Sequence, residues 1–197
     1  MIKETDTAAF AFTPANAKLA KVHIAKYPGG RQASAVMPLL DLAQRQNEGW
    51  LTKEAMDSVA VMLDMPFMRV YEVATFYTMY NLNPVGRHHI EVCTNVPCWL
   101  RGSDGVVEAC RRVLGIDFGE TSEDGMFTLS EVECQGACVN APMMKIGDDF
   151  YEDLDADSTE SILSLLKSDG TPSPGPQNGR KGCEPLGGLT TLKGGGT

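Results

Sequence analysis

The sequence predicts an α+β protein in three parts: an N-terminal helical region over 1–82, a small mixed α/β domain over 83–169, and an extended C-terminal arm over 170–197. Three observations carry this division. Apolar residues recur at helical spacing until the turn-rich stretch Asn81-Leu82-Asn83-Pro84-Val85-Gly86, after which short alternating runs take over. Residues 170–197 hold nine Gly and four Pro, a composition that cannot build a packed core alone. Between them, four cysteines form two pairs, each beginning where an expected strand ends.

The helical part opens with Thr13 as N-cap and Pro14 at the first helical position, and Tyr27-Pro28-Gly29-Gly30 stops that helix. A second helix is expected over 31–47, with Val36, Leu39, Leu40 and Ala43 on one face and a kink at Pro38. A third follows Thr52, lined by Ala55, Met56, Val59, Ala60 and Leu63. Pro66 opens a fourth, in which Phe67, Val70, Ala74 and Tyr77 share a face. Met56, Met62, Met65, Met68 and Met79 are read as core residues.

In the second part, His88 to Cys93 alternates as a strand should, with Ile90 and Val92 on one face. A helix over 104–114 presents Val106, Val107, Cys110, Val113 and Leu114 as one stripe. Strands are expected at 126–133, 143–146 and 150–151, the last after the Gly147-Asp148-Asp149 turn. A closing helix over 158–167 buries Ile162, Leu165 and Leu166. This order gives a small sheet with helices packed on it.

Charge and composition narrow the function. A chain of 197 residues with 43% hydrophobic and 22% charged residues is an ordinary globular protein that can bury a core without disulfides. Its net charge of −9 argues against nucleic acid or an anionic membrane as the main partner. The arm runs against that balance: Arg180, Lys181 and Lys193 against Glu184 make it locally basic. No apolar run approaches the roughly 18 residues that span a bilayer, so membrane association is expected only through a partner. Met1-Ile2-Lys3-Glu4-Thr5-Asp6 resembles neither a secretory signal nor a transit peptide, so the six cysteines are expected in a reducing compartment, where pairs bind metal more often than they bridge.

The pairs are Cys93-x4-Cys98 and Cys134-x3-Cys138. Two such loops at one edge of a sheet bring four soft thiolates around one centre, which suits iron–sulfur clusters, zinc or Cu(I). Spacing alone leaves an iron–sulfur centre, a tetrahedral zinc site and redox thiols open. Two features favour iron and sulfur: the four-residue loop matches half of the plant-type [2Fe–2S] pattern, and the flanks Val96, Trp99, Ala137, Val139 and Ala141 are small or apolar. A diferric cluster on four thiolates is already a dianion, so reducing it inside an acidic domain is unfavourable and its potential is expected to be low. Backbone N–H groups around Cys98 and Cys138 offset this in part.

The remaining cysteines and histidines read differently. Cys110 lies on the apolar helix stripe and is a core residue, Cys183 lies in the arm as a packed or free thiol, and His88 and His89 are structural. No Gly-x-Gly-x-x-Gly follows a strand, and no phosphate loop or nucleophile–base pair is visible. A one-electron centre without a substrate site is a relay, which needs a donor subunit for two-electron chemistry.

The strings Val70-Tyr71-Glu72-Val73-Ala74-Thr75-Phe76-Tyr77, Cys93-Thr94-Asn95-Val96-Pro97-Cys98 and Glu133-Cys134-Gln135-Gly136-Ala137-Cys138, with Ala141-Pro142, resemble the thioredoxin-like [2Fe–2S] ferredoxins. Among these the chain is similar to the small iron–sulfur subunits of the NADH-oxidising module of respiratory complex I, NADH:quinone oxidoreductase, over about residues 14–190. Gly175 to Thr190 is similar to the C-terminal arm of that subunit. The resemblance implies a thioredoxin-like domain that has lost its redox Cys-x2-Cys, with Cys93, Cys98, Cys134 and Cys138 holding one [2Fe–2S] cluster and no catalytic residue of its own. It implies FMN and NADH in a partner flavoprotein subunit, neighbouring peripheral-arm subunits, and no NADH, FMN or quinone site in this chain. It also implies a peripheral position on the cytoplasmic side of a bacterial inner membrane, or on the matrix side in an organelle. Neither nucleic acid nor direct membrane insertion is expected. In the family the arm packs on the flavoprotein, so its order is expected to come from that partner, and deletion of 170–197 is expected to spare the cluster. The competing readings are the small subunit of an NAD-linked hydrogenase or formate dehydrogenase, and a zinc-stabilised assembly module without redox activity.

Overall fold

The computed structural model describes residues 10–188 and 191, which divide into two compact units on either side of the Val85–Gly86 bond. In the first, helix α1 (Pro14–Ile24) is capped by Thr13, whose hydroxyl accepts the Asn16 N–H at 3.3 Å. A 3₁₀ turn at Gln32–Ala35 leads into α2 (Val36–Gln46). The expected helix over 31–47 is divided before Pro38, not at it. The α-helix starts at Val36, so Pro38 falls in the first turn, where its missing N–H leaves no intrahelical bond unmade. Helix α3 (Lys53–Leu63) is capped by Thr52, which accepts the Ala55 N–H at 3.1 Å, and ends on a left-handed Asp64. Helix α4 (Phe67–Phe76) completes the unit.

Leu39, Leu40, Met56, Val59, Leu63 and Val70 form the centre of this core. Tyr80 closes it, its hydroxyl donating to the Met37 carbonyl at 2.9 Å, and burial pushes its pKa up to about 12. Three expected core residues lie outside. Met68 sits two residues from buried Val70, about 200° around the helix, and is exposed. Tyr77 and Met79 follow the end of α4, where Tyr77 is already extended, so neither continues the helical stripe. Met62 and Met65 are half-buried against the core.

The second unit is built on a six-stranded mixed sheet. Its strands are β1 (His88–Cys93), β2 (Glu120–Thr121), β3 (Phe127–Val132), β4 (Met143–Ile146), β5 (Asp149–Glu152) and β6 (Gly175–Pro176), in the order β2-β3-β1-β4-β5-β6. Central β1 runs parallel to β3, with Ile90 opposite Leu129, and antiparallel to β4, with Ile90 opposite Ile146. The crossover from β1 to β3 carries α5 (Val96–Leu100) and α6 (Ser103–Leu114). Helix α7 (Ala156–Lys167) begins in a capping box between Asp155 and Ser158. Val106, Val107 and Cys110 of α6 share a core with Ile162, Leu163 and Leu166 of α7 and with Ile90, Val92, Leu129, Met144 and Ile146 of the sheet.

Cys110 is fully buried, as expected of a core thiol. Leu165 is exposed and Leu163 buried in its place, because the core-facing row of α7 runs Thr159, Ile162, Leu163, Leu166. His88 stacks on Phe127 and His89 meets the Ser130 hydroxyl at 2.8 Å, so both serve the sheet. Gly86 starts the unit where no side chain fits: a Cβ there lies 2.7 Å from the Phe127 carbonyl carbon. Its N–H donates to the Thr128 hydroxyl at 2.6 Å.

The arm begins as a strand of the sheet, with Gly175 beside Tyr151 and Pro176 beside Glu152. The Gln177 N–H then donates to the Glu152 carbonyl at 2.9 Å, and Arg180 pairs with Asp153 at 2.6 Å. The proximal arm is thus docked on its own domain.

Candidate metal centre

Cys93 is the last residue of β1 and lies in register with Val132, the last residue of β3. The parallel pairing therefore delivers both cysteine segments to one end of the sheet. Beyond Cys93, the Asn95 side chain accepts the Val96 N–H at 2.8 Å and starts α5. One turn of that helix returns Cys98 to the same buried cluster as Cys93. Both thiols are only 2% exposed, in a small core with Ala141 and Met143.

The second pair sits on irregular backbone. Gly136 takes a left-handed φ of 86° and donates its N–H to the Cys134 sulfur at 3.4 Å. Cys138 opens the 3₁₀ turn Cys138–Asn140, with its Sγ 3.2 Å from that of Cys134. Both are exposed. Cys138 also lies close enough to Cys93 and Cys98 for their charges to interact, so all four sulfurs occupy one end of the sheet.

The thiol chemistry follows the burial. Burial pushes the Cys98 thiol up to about 12; the neighbouring Cys93 thiol adds to this and the Met143 N–H opposes it. Cys134 is held below the usual thiol range by the Cys138 thiol and then by the Gly136 N–H, while Cys138 is raised by the same contact with Cys134.

Several residues that hold this geometry have no role in the expected ligand set, although Thr94, Asn95 and Glu133 lie within the cysteine strings. Thr94 donates to Glu131 at 2.5 Å and Asn95 to Glu133 at 2.5 Å, tying the first cysteine loop to the end of β3. Arg101 donates to the Ala141 carbonyl at 3.4 Å and links α5 to the second loop. Only the alternation of Glu131 and Glu133 along the strand points to the first two tethers. Cys183 is an exposed free thiol, and Cys110 lies in the helix–sheet core.

The donor set fits an iron–sulfur centre. The Cys134 and Cys138 sulfurs meet at 3.2 Å, and Cys93 and Cys98 share a buried pocket with Ala141 and Met143. Two soft pairs at one end of a sheet suit a two-iron unit, in which the four thiolates are shared between metals. A cleft of about 470 Å³ opens nearby, lined by Trp99, Asp104, Glu108, Arg111 and Glu131. The lining sets three carboxylates beside Arg111, which Asp117 engages at 2.6 Å.

A small mixed sheet, flanked by two helices and carrying four thiols at one end, defines a cysteine-lined α+β domain. Comparison with known proteins makes the assignment specific: the chain belongs to the thioredoxin-like [2Fe-2S] ferredoxin family, whose profile matches residues 20–167. It is 58% identical over 154 residues to an NADH-quinone oxidoreductase subunit of Rickettsia prowazekii, covering 78% of this chain and 87% of the relative. It is 51% identical over 183 residues to the mitochondrial NADH dehydrogenase [ubiquinone] flavoprotein 2 of Dictyostelium discoideum, covering 93% of this chain and 74% of that one. The fold is similar to part of an NAD+-reducing [NiFe]-hydrogenase in its H2-reduced state, with a TM-score of 0.59 at 19% identity over 68% of this chain and 23% of that one.

Proposed function

We propose that Cys93, Cys98, Cys134 and Cys138 hold one [2Fe–2S] cluster and that the chain is an electron-transfer subunit of an NADH:quinone oxidoreductase. In this reading it exchanges single electrons with FMN in a partner flavoprotein subunit that also binds NADH. The meeting of the four thiols at one end of the sheet is the observation that carries the reading. The cluster, when bound, supplies a one-electron couple.

The chain's own residues set the conditions for that couple. Cys93 and Cys98 keep one side of the site dry, and the N–H groups of Met143 and Gly136 aim at sulfur, which favours thiolate. Glu131 and Glu133 place negative charge beside the site and disfavour an added electron. The other side carries the exposed cysteine pair together with exposed Val96, Trp99, Leu100 and Val139. Apolar side chains grouped around exposed thiols fit a surface that a partner subunit covers. Among the described residues no helix is long and apolar enough to cross a membrane.

The test is iron, sulfide and zinc analysis of anaerobically purified protein, with EPR before and after dithionite. Equal iron and sulfide, with a paramagnetic signal only on reduction, is the expected result. Zinc without sulfide and no signal in either state would overturn the reading. Survival of the spectrum in all four single Cys→Ser variants would refute the ligand set.

A further inference from the structure

We infer that Arg180, in the C-terminal arm, is a positioning residue for the second cysteine loop: it clamps the backbone that follows Cys138 onto the end of β5. The inference rests on the proposed ligand set for its functional meaning, but its geometry stands alone. The Arg180 guanidinium holds the Asp153 carboxylate through two bonds of 2.6 Å, from Nε to Oδ2 and from Nη2 to Oδ1. The two side chains are only 10% and 3% exposed. The same Nη2 donates to the Val139 carbonyl at 2.8 Å, one residue past Cys138, and Nη1 donates to the Glu184 carbonyl at 3.2 Å.

The clamp closes on itself. The Asp153 N–H donates to the Asn140 carbonyl at 2.7 Å, and the Leu154 N–H to the Pro142 carbonyl at 3.1 Å. The Asn140 side chain, 3% exposed, donates to Glu152 at 2.6 Å and to the arm's Gly182 carbonyl at 3.0 Å. Residues 139–142 are therefore held from three directions: by the backbone after β5, by the Arg180 fork and by the arm's main chain. Cys134 and Cys138 are exposed and sit on a left-handed Gly136 and a 3₁₀ turn, so their own backbone offers little to fix them.

An arginine is suited to the task where a lysine is not. Its planar fork satisfies both carboxylate oxygens and still reaches a carbonyl, whereas an ammonium is a single point of charge. Arg180, one of the arm's basic residues, thus has a partner within the domain. Partners that hold ligating loops from outside the ligand set act on metal retention about as strongly as a ligand's orientation does. This reverses the expectation that removing residues 170–197 spares the cluster.

The experiment uses the full chain in two states. In metal-free protein, hydrogen exchange is followed by mass spectrometry for Arg180→Gln, Arg180→Lys and wild type. Arg180→Gln is expected to speed exchange about tenfold in the peptide containing the Asn140 and Ala141 amides, with Arg180→Lys intermediate and the peptides of β1 and β3 unchanged. In iron-loaded protein, release of iron to a chelator is expected to be about tenfold faster in Arg180→Gln. Wild-type exchange at 134–142 in Arg180→Gln, or a uniform rise across the whole second unit, overturns the inference. If Arg180→Gln does not fold, Arg180→Lys decides it by the same peptide. If wild-type protein carries no iron and sulfide, the proposed function fails, while the metal-free arm still decides the role of Arg180.

Discussion

The two halves of the cysteine site are built in opposite ways. Cys93 and Cys98 are buried and borne by regular structure, the last residue of a central strand and a turn of helix. Cys134 and Cys138 are exposed, two residues and six residues past the end of β3, on backbone with hardly any regular hydrogen bonding of its own. A site made this way divides its labour. The buried half is borne by the sheet and, in the proposed reading, would set where the centre lies. The exposed half stays accessible for a partner and depends on distant tethers for its position.

Removing the sulfurs one at a time exposes the difference most strongly. All four Cys→Ala variants are expected to lose the cluster, read as loss of iron, sulfide and the reduced-state EPR signal. The metal-free chains should then separate. Cys93→Ala and Cys98→Ala leave a small void in a packed site and cost about 1 kcal/mol. Cys134→Ala and Cys138→Ala remove exposed groups and leave the urea midpoint where it was. Equal destabilisation by all four in metal-free protein would erase the contrast between the halves.

Gly86→Ala attacks the buried half through its frame. The added Cβ meets Phe127 backbone atoms at 2.7 and 2.8 Å, and backbone cannot turn aside as a flexible side chain can. The start of β3 must shift against β1, which is expected to cost about 1–3 kcal/mol. Urea unfolding followed by far-UV circular dichroism reads the loss. An unchanged midpoint would mean that the strand yields freely and that the sheet is not a rigid frame for the buried pair.

Acid should weaken the sheet-borne half as well. His89, four residues before Cys93 on β1, has its pKa lowered from 6.5, chiefly by burial; Glu91 opposes this and Lys145 adds to it. His88 is lowered too, by burial and then by Arg87, with Asp169 opposing. Well above pH 6.5 neither the folded nor the unfolded imidazole carries the proton. As pH falls below that value the unfolded chain takes it up and the folded chain resists, so stability declines until the folded values are reached. Urea midpoints on either side of pH 6.5 should show the decline, and His89→Gln should flatten it. A flat profile in the wild type would contradict the role given to burial.

How much of this could be read from the chain depends on how local each cause is. Helices α3, α4, α6 and α7 declare themselves because their apolar rows repeat over several turns, and α1 by its Thr13 cap and Pro14, while the expected start of α7 at 158 misses the Asp155 cap that starts it at Ala156. Helix α5 and strands β2 and β6 span five, two and two residues, too short for any period to show. The spacing of the four cysteines picks them out, but not their division into buried and exposed pairs, since burial is decided by Ala141 and Met143, far along the chain from Cys93 and Cys98. The tethers Thr94–Glu131, Asn95–Glu133 and Arg180–Asp153 join residues 27 to 38 positions apart, and no local window contains both ends.

The smallest expected effect tests the exposed half on its own ground. Gly136 holds a φ of 86°, and a Cβ added there meets nothing within 4 Å. Gly136→Ala therefore changes backbone preference without adding a clash. An alanine forced to positive φ costs about 1 kcal/mol, or the loop moves to relieve it. The Gly136 N–H that now meets the Cys134 sulfur at 3.4 Å would turn with the peptide, and the 3.2 Å contact between the Cys134 and Cys138 sulfurs would loosen. The expected outcome is a modest fall in iron retention with the urea midpoint of the metal-free chain nearly unchanged, because the loop contributes little to the core. A fall in the midpoint as large as that of Gly86→Ala would show that the exposed loop supports the sheet, and the two halves would then be one structural unit.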